Sequence, residues 1–225
     1  GYGITQAICE ELFAVGVDVI TSGNHIWDQK ETMDFIRKEK RLLRPWNFGE
    51  GTPGSGFEIY EKNNFKIGVM NLMGNVYMKK TDPVFPFIEE RMKNIKLKKD
   101  LDFLFVDIHA EITSEKQAMG YFLDGKATLV VGTHTHTPTL DFRILEHGTA
   151  YQTDAGMCGD YNSIIGMDSD KALKRFFTEE RTERLTPANG EGTITGVRVV
   201  GDVNTGLAKE IEPIIIGGRL TKKFK

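Results

Sequence analysis

At 225 residues, with 40% hydrophobic and 27% charged side chains, the chain has the length and composition of a single α/β domain, 1–225, with a real hydrophobic core. Its formal charge of −3 excludes the basic footprint of a nucleic-acid binder, so a phosphate ligand would have to be attracted by something other than excess Lys and Arg. No apolar run approaches the roughly 20 residues that span a bilayer, and Cys9 and Cys158, in no metal-ligand spacing, read as free thiols of a reducing compartment, the cytoplasm.

The chain opens on "GYGIT", a loop running straight into a helical pattern at Thr5–Val15, where Ile8, Leu12 and Val15 repeat at helical spacing and Gly16 follows as the stop. "VDVITSGNH" then reads as a short β-branched strand ending in a glycine loop. Helix followed by strand is half of a βαβ unit, whose opening strand would lie before Gly1. A second helix is predicted over "QKETMDFIRKE", then an irregular connection "RPWNFGEGTPGSG" rich in turn formers. "FEIYEK" and "FKIGVMNLMG" flank Asn63-Asn64 as a hairpin or neighbouring strands. A helix over "FPFIEERMKNIKLK" leads to the strand "LDFLFVDIH". Ser114 and Gln117 suggest a capping box for the helix "SEKQAMGYFLDG", before the strand "ATLVVGTH". Strand-like "TAYQTDAG", a helix at Ser169–Phe177 and the pair "TITGVRVVGD" and "KEIEPIIIG" around "VNTG" complete a layered α/β chain with mixed strands.

Three of these predicted strands end in polar residues able to bind a ligand: Asn24 and His25, then His109 and Glu111, then His134 and His136. Ligands of open α/β sheets sit beyond the carboxyl ends of strands, and four of the chain's five histidines fall there. Past a strand end, His134-x-His136 can place its two rings on different sides of a turn, and Gly132 lets the backbone bend into it. With the amide oxygen of Asn24 and the imidazole of His109, this is a mixed N/O donor set that suits Mn, Fe or Zn. His147, in "LEHGTAY", reads as an ordinary partly exposed histidine. Asp28 and Glu111 are equally readable as carboxylates orienting an imidazole or as solvated residues. Arg44 and Asn47 are readable as groups approaching a substrate or as turn and packing residues. Tyr121 and Phe122 read as core.

"SGNH", "DIHAE" and "GTHTH" in this order resemble the later motifs of the calcineurin-like metallophosphoesterase superfamily. "TSGNHIWDQKE", "RPWNF", "EGTPGSG" and "ILEHGTAYQTDAGMCGDYNSIIGM" are similar to its YmdB-like bacterial branch, from Gly1 to about Phe177. The resemblance implies a four-layer α/β/β/α metallophosphoesterase sandwich with mixed sheets. It also implies a two-metal centre of divalent or trivalent transition ions, Fe or Mn foremost and Zn admissible, that hydrolyses phosphodiesters such as cyclic nucleotides. Carried over by residue, Asn24, His109 and His134 would hold one ion and His136 the other, and His25 would protonate the leaving alkoxide. The implied partner is a small phosphodiester, with nucleic acid entering only as a cyclic nucleotide or RNA fragment. The resemblance implies no membrane, and it makes a homo-oligomer an expectation, since family members often associate into dimers or larger assemblies.

The family's two earlier motifs, a Gly-Asp pair and a Glu-Asn pair that supply carboxylates to the metals, do not occur in this sequence; about forty residues of a typical member come before a segment like "GYGIT". Two other readings therefore stand beside the phosphodiesterase: a phosphomonoesterase on the same centre, and a non-catalytic regulatory or scaffold protein. The lysines of "KNIKLKK" and the terminal "LTKKFK" read as a solvated face and a frayed tail.

Overall fold

Asn63 and Asn64 take left-handed backbone angles, φ 51° and 65°, and reverse the chain between β1 (Phe57–Lys62) and β2 (Phe65–Met73). Asparagine tolerates this region better than most residues, and a two-residue turn of this hand matches the twist of paired strands. The hairpin runs in register from Lys62↔Phe65 to Phe57↔Met70. In the computed structural model, which describes residues 2–178 and 183–220, it forms one edge of a six-stranded sheet ordered β1-β2-β3-β4-β6-β5. β3 (Phe103–His109), β4 (Leu129–Thr133) and β6 (Ala150–Gln152) follow β2 in parallel, and β5 (Arg143–Ile144) is an antiparallel edge. The last five residues of the Lys-rich terminus lie outside the described residues.

Parallel neighbours require crossovers. α3 (Val84–Met92) makes the one from β2 to β3, and α4 (Thr113–Phe122) the one from β3 to β4. Ile88 and Met92 of α3 and Met119 of α4 share one buried cluster with Leu72, Leu104, Val106 and Ile108 of the sheet. On the other face Leu129, Val131 and Ala150 pack against Val197, Val199, Ala208 and Ile211. These come from β8 (Gly192–Gly201) and β9 (Ala208–Ile216), which with β7 (Gly159–Asp160) form a three-stranded antiparallel sheet. The six-stranded sheet thus has helices on one face and a second sheet on the other, the layered arrangement expected of these elements. α5 (Ser169–Phe177) begins where expected, with Asp168 capping the Lys171 amide at 3.0 Å.

Tyr121, read as core, is exposed on α4, and the helix predicted over residues 85–98 ends at Met92. Four further local expectations are corrected. "VDVITSGNH" is not a sheet strand: Ile20 makes a single parallel bridge to Leu42, and the Ser22 amide is taken by the side-chain oxygen of Asn71 at 3.0 Å. A strand is defined by its neighbours, and among the described residues this segment has only that one bridge. The predicted helix over residues 29–39 shrinks to α2 (Thr32–Phe35), flanked by bonds of i to i+3 spacing such as Thr32 N to Gln29 O, a tighter winding that does not propagate. α1 (Gln6–Ala14) forms with Thr5 as its cap, but it buries Cys9 against Ile26, Ile36 and Leu42 and leaves Ile8 and Val15 exposed. Its apolar residues cover more than one face, so periodicity alone does not choose between them. Ser114 and Gln117 form no capping box, because α4 begins one residue earlier and Ile112 precedes it without a side-chain cap.

Candidate metal centre

β3 ends at His109 and β4 at Thr133, and their parallel register sets these two residues opposite each other. The next residue, His134, leaves the sheet with φ 105°, and His136 follows with φ 65°. The extended segment that ends at Asn24 comes in beside them, so close that a Cβ on Gly23 would lie 2.2 Å from the His109 ring. Glycine is therefore required there by the approach of an imidazole. Asn24, His25, His109, Glu111, His134 and His136 line one cleft of about 610 Å³, with Ile4, Ile165 and Met167 also on its wall.

The hydrogen bonds fix which nitrogen of each ring carries a proton. Thr133 donates its hydroxyl proton to Asp107 Oδ1 at 2.7 Å, so its oxygen can only accept from His109 Nδ1, 2.9 Å away. His109 is therefore protonated on Nδ1 and keeps its lone pair on Nε2. Burial, followed by repulsion from any charge on the adjoining His134 and by the charge of Lys116, pushes its pKa down to about 3, which leaves the ring neutral. His134 Nε2 faces Glu111 Oε2 at 2.9 Å and must donate to that carboxylate, so its lone pair sits on Nδ1. Burial lowers the pKa of His134 despite Glu111.

Three lone pairs consequently meet. His109 Nε2 lies 2.9 Å from Asn24 Oδ1 and 3.1 Å from His134 Nδ1, with no proton assigned between any of them. Acceptors held this way repel unless a cation shares them, and donors about 2.1 Å from one ion at right angles are about 3 Å apart. The donor set fits a transition-metal ion. Among the described residues no three His, Cys, Asp or Glu side chains form such a group, because the third donor here is an amide oxygen.

The other expected residues fall around this core. His25 is half-exposed on the cleft, with Nδ1 2.6 Å from Asp28 Oδ2, so Asp28 is an orienting carboxylate rather than a solvated one. Lys79 lies 3.8 Å from Asp28 and donates to the Asn24 carbonyl at 2.5 Å. Glu111 orients His134 in the same way. His136 lines the cleft but is not drawn into the donor group; its Nδ1 donates to the Ile165 carbonyl at 2.8 Å. His147 is exposed and pairs with Asp124, as an ordinary histidine would. Arg44 and Asn47 are structural: Arg44 is buried and donates to the carbonyls of Pro45, Trp46, Thr52 and Pro53, and Asn47 bonds both backbone groups of Met73. Asp107 is readable as an acid two residues before His109 in an apolar strand, hence on the same face. Burial pushes its carboxyl up to about 6, against hydrogen bonds from Thr21 and Thr133. Lys79, Lys116 and Asp154 carry no such local signal.

Residues 1–214 match the model of a family described as YmdB-like protein. The chain belongs to the YmdB-like family. A relative from Bacillus subtilis (strain 168), named 2',3'-cyclic-nucleotide 2'-phosphodiesterase, is 45% identical over 216 residues, which cover 96% of this YmdB-like chain and 81% of the relative. A crystal structure from Thermus thermophilus, described as a hypothetical protein, superposes with TM-score 0.89 at 36% identity over 97% of this chain and 84% of that one. A structure described as a novel phosphatase from Mycoplasma pneumoniae gives 0.87 at 36% identity over 96% and 77%. The sandwich of this YmdB-like protein is accordingly the phosphoesterase fold that its sequence resembles. Among the described residues no helix is long and apolar enough to cross a membrane, and Cys9 and Cys158 are unpaired.

Proposed function

We propose that the protein is a metal-dependent phosphodiesterase acting on small cyclic phosphodiesters, cyclic nucleotides among them. The observation that carries this reading is the meeting of three proton-free acceptors, Asn24 Oδ1, His109 Nε2 and His134 Nδ1, at the mouth of the strand ends. These three would hold one ion, Fe or Mn by the resemblance, and His136, through its Nε2, would serve a second. When bound, such ions supply positive charge to the phosphoryl oxygens and lower the pKa of coordinated water toward neutrality.

The remaining work belongs to this chain's side chains. Thr133 and Asp107 hold His109 in the tautomer that presents Nε2, and Glu111 does the same for His134 Nδ1. His25 donates an Nδ1–H hydrogen bond to Asp28, so the protonated ring presents Nε2–H to the leaving alkoxide, gives up that proton and ends neutral. Ile4, Ile165 and Met167 give the cleft an apolar side suited to the organic part of an ester. The names of the Bacillus subtilis and Mycoplasma pneumoniae relatives support phosphoester chemistry.

The test is turnover by the Mn-loaded full-length protein of 2',3'-cyclic AMP and bis-p-nitrophenyl phosphate, against p-nitrophenyl phosphate. Faster diester turnover supports the reading; faster monoester turnover makes the protein a phosphomonoesterase, and no turnover at all leaves the non-catalytic reading. His25→Ala should retain metal while losing about 10²–10⁴-fold in kcat on the cyclic substrate.

A further inference from the structure

Lys116 and Asp154 form an ion pair, Nζ to Oδ2 at 2.7 Å, whose side chains are 0% and 1% exposed. Removing two charges from water is costly, and a buried pair of this kind is weak evidence of a contribution to stability. Its surroundings indicate another role. Asp154 Oδ2 also accepts the Thr135 amide at 3.1 Å and the Thr135 hydroxyl at 2.7 Å, and Oδ1 accepts the Gly156 amide at 2.9 Å. The backbone of Asp154 reaches the far end of the same loop, its amide to Thr139 Oγ1 and its carbonyl from the Thr139 amide, both at 3.0 Å. The start of the loop is pressed onto the same pair: a Cβ on Gly132 would lie 1.8 Å from the Thr153 carbonyl and 2.7 Å from Lys116 Cδ.

Thr135 is the residue between the two histidines, and both neighbours hold positive φ, 105° and 65°. Non-glycine residues persist in such backbone only where their surroundings over-determine it. The two bonds from Thr135 to Asp154 supply that constraint at the middle of the turn. We propose that Lys116 and Asp154 are positioning residues: the buried pair clamps Thr135 and thereby aims His134 at His109 and turns His136 to the other side. Lys116 keeps the Asp154 carboxylate neutralised and in place beneath the loop, so its charge acts on the site through Asp154 and Thr135 and touches no substrate. This inference rests on the metal-centre reading for its functional consequence, and on loop geometry alone for its structural one.

The experiment compares the full-length protein with Lys116→Met/Asp154→Leu, in which no lone buried charge remains, by Mn(II) titration followed by EPR. Thermal unfolding and, in the metal-free state, proton NMR contacts between the rings of His109 and His134 are recorded alongside. A folded double variant that binds Mn about 10–100-fold more weakly, the usual effect of losing an outer-shell partner, supports the clamp. A folded double variant that binds Mn like the parent overturns it. Should the double variant not fold, Thr135→Val, which leaves the buried pair untouched, decides in its place: weaker Mn binding restored by Thr135→Ser supports the clamp, and unchanged binding overturns it. If the parent binds no Mn, the metal reading fails separately, and the NMR contact decides for the clamp: present in the parent and lost in Thr135→Val supports it, retained in both overturns it.

Discussion

The expected site residues are legible because a polar, ligand-capable side chain follows an apolar run, which is a sheet strand before His109 and His134 and an extended segment with a single bridge before Asn24 and His25. Asn24, His109 and His134 do converge, and Gly23, the residue before Asn24, is required by the 2.2 Å that its Cβ would leave to the His109 ring. Gly23→Ala therefore displaces that imidazole. Mn binding should weaken at least about tenfold, on the scale of losing an outer-shell partner, while the fold persists, checked by titration and circular dichroism. Lys116 and Asp154 are not legible as a pair, because their bond joins residues 38 apart in sequence that no local pattern connects. His147 is the ordinary histidine its position suggests, and its partner Asp124 carries a pH effect. Burial tends to raise the Asp124 carboxyl, but bonds from the His147 amide and ring and the Thr149 amide outweigh it and hold the pKa below its usual value. A depressed folded pKa stabilises above the unfolded value of about 4 and loses that contribution as pH falls through the folded one. Asp124→Asn should thus cost about 1–2 kcal/mol at neutral pH, with the gap narrowing toward pH 3. Urea midpoints at both pH values check it, and a gap that widens in acid contradicts it.

Elements whose signals are local follow directly from the sequence, and those defined by partners do not. The Asn63-Asn64 hairpin and α5 arise from turn chemistry and capping that a few adjacent residues carry. "VDVITSGNH" has strand composition, yet pairing is what makes a strand, and Ile20 finds only Leu42 among the described residues. α4 shows the complementary case of a helix whose packing overrides propensity. Gly120 is a poor helix former in mid-helix, and an added Cβ would sit 2.5 Å from the Tyr151 ring. Tyr151 is itself 1% exposed and has no room to yield. Gly120→Ala, which in an exposed helix would gain about 1 kcal/mol, should here destabilise by about 1–3 kcal/mol through overpacking. A chemical denaturation midpoint above the parent's would contradict this.

At the scale of the whole molecule, the sandwich does one thing for the site: parallel β3 and β4 deliver His109 and His134 to the same end of the sheet, and α4, crossing between them, carries Lys116 beneath the loop. A core of Leu, Ile, Val and Met on the helical face of the sheet and a second sheet on the other keep those strand ends in register. The acidic balance of the chain gives an anionic phosphodiester no general attraction, so under the proposed function the needed positive charge would come from ions held at the three acceptors. Metal content per chain, by elemental analysis of the purified full-length protein and of its His109→Ala variant, tests this most directly. Bound Fe or Mn, approaching two ions per chain and falling sharply in the variant, is the expected result; a parent protein free of transition metal after reconstitution with Mn or Fe would contradict the metal-dependent phosphodiesterase.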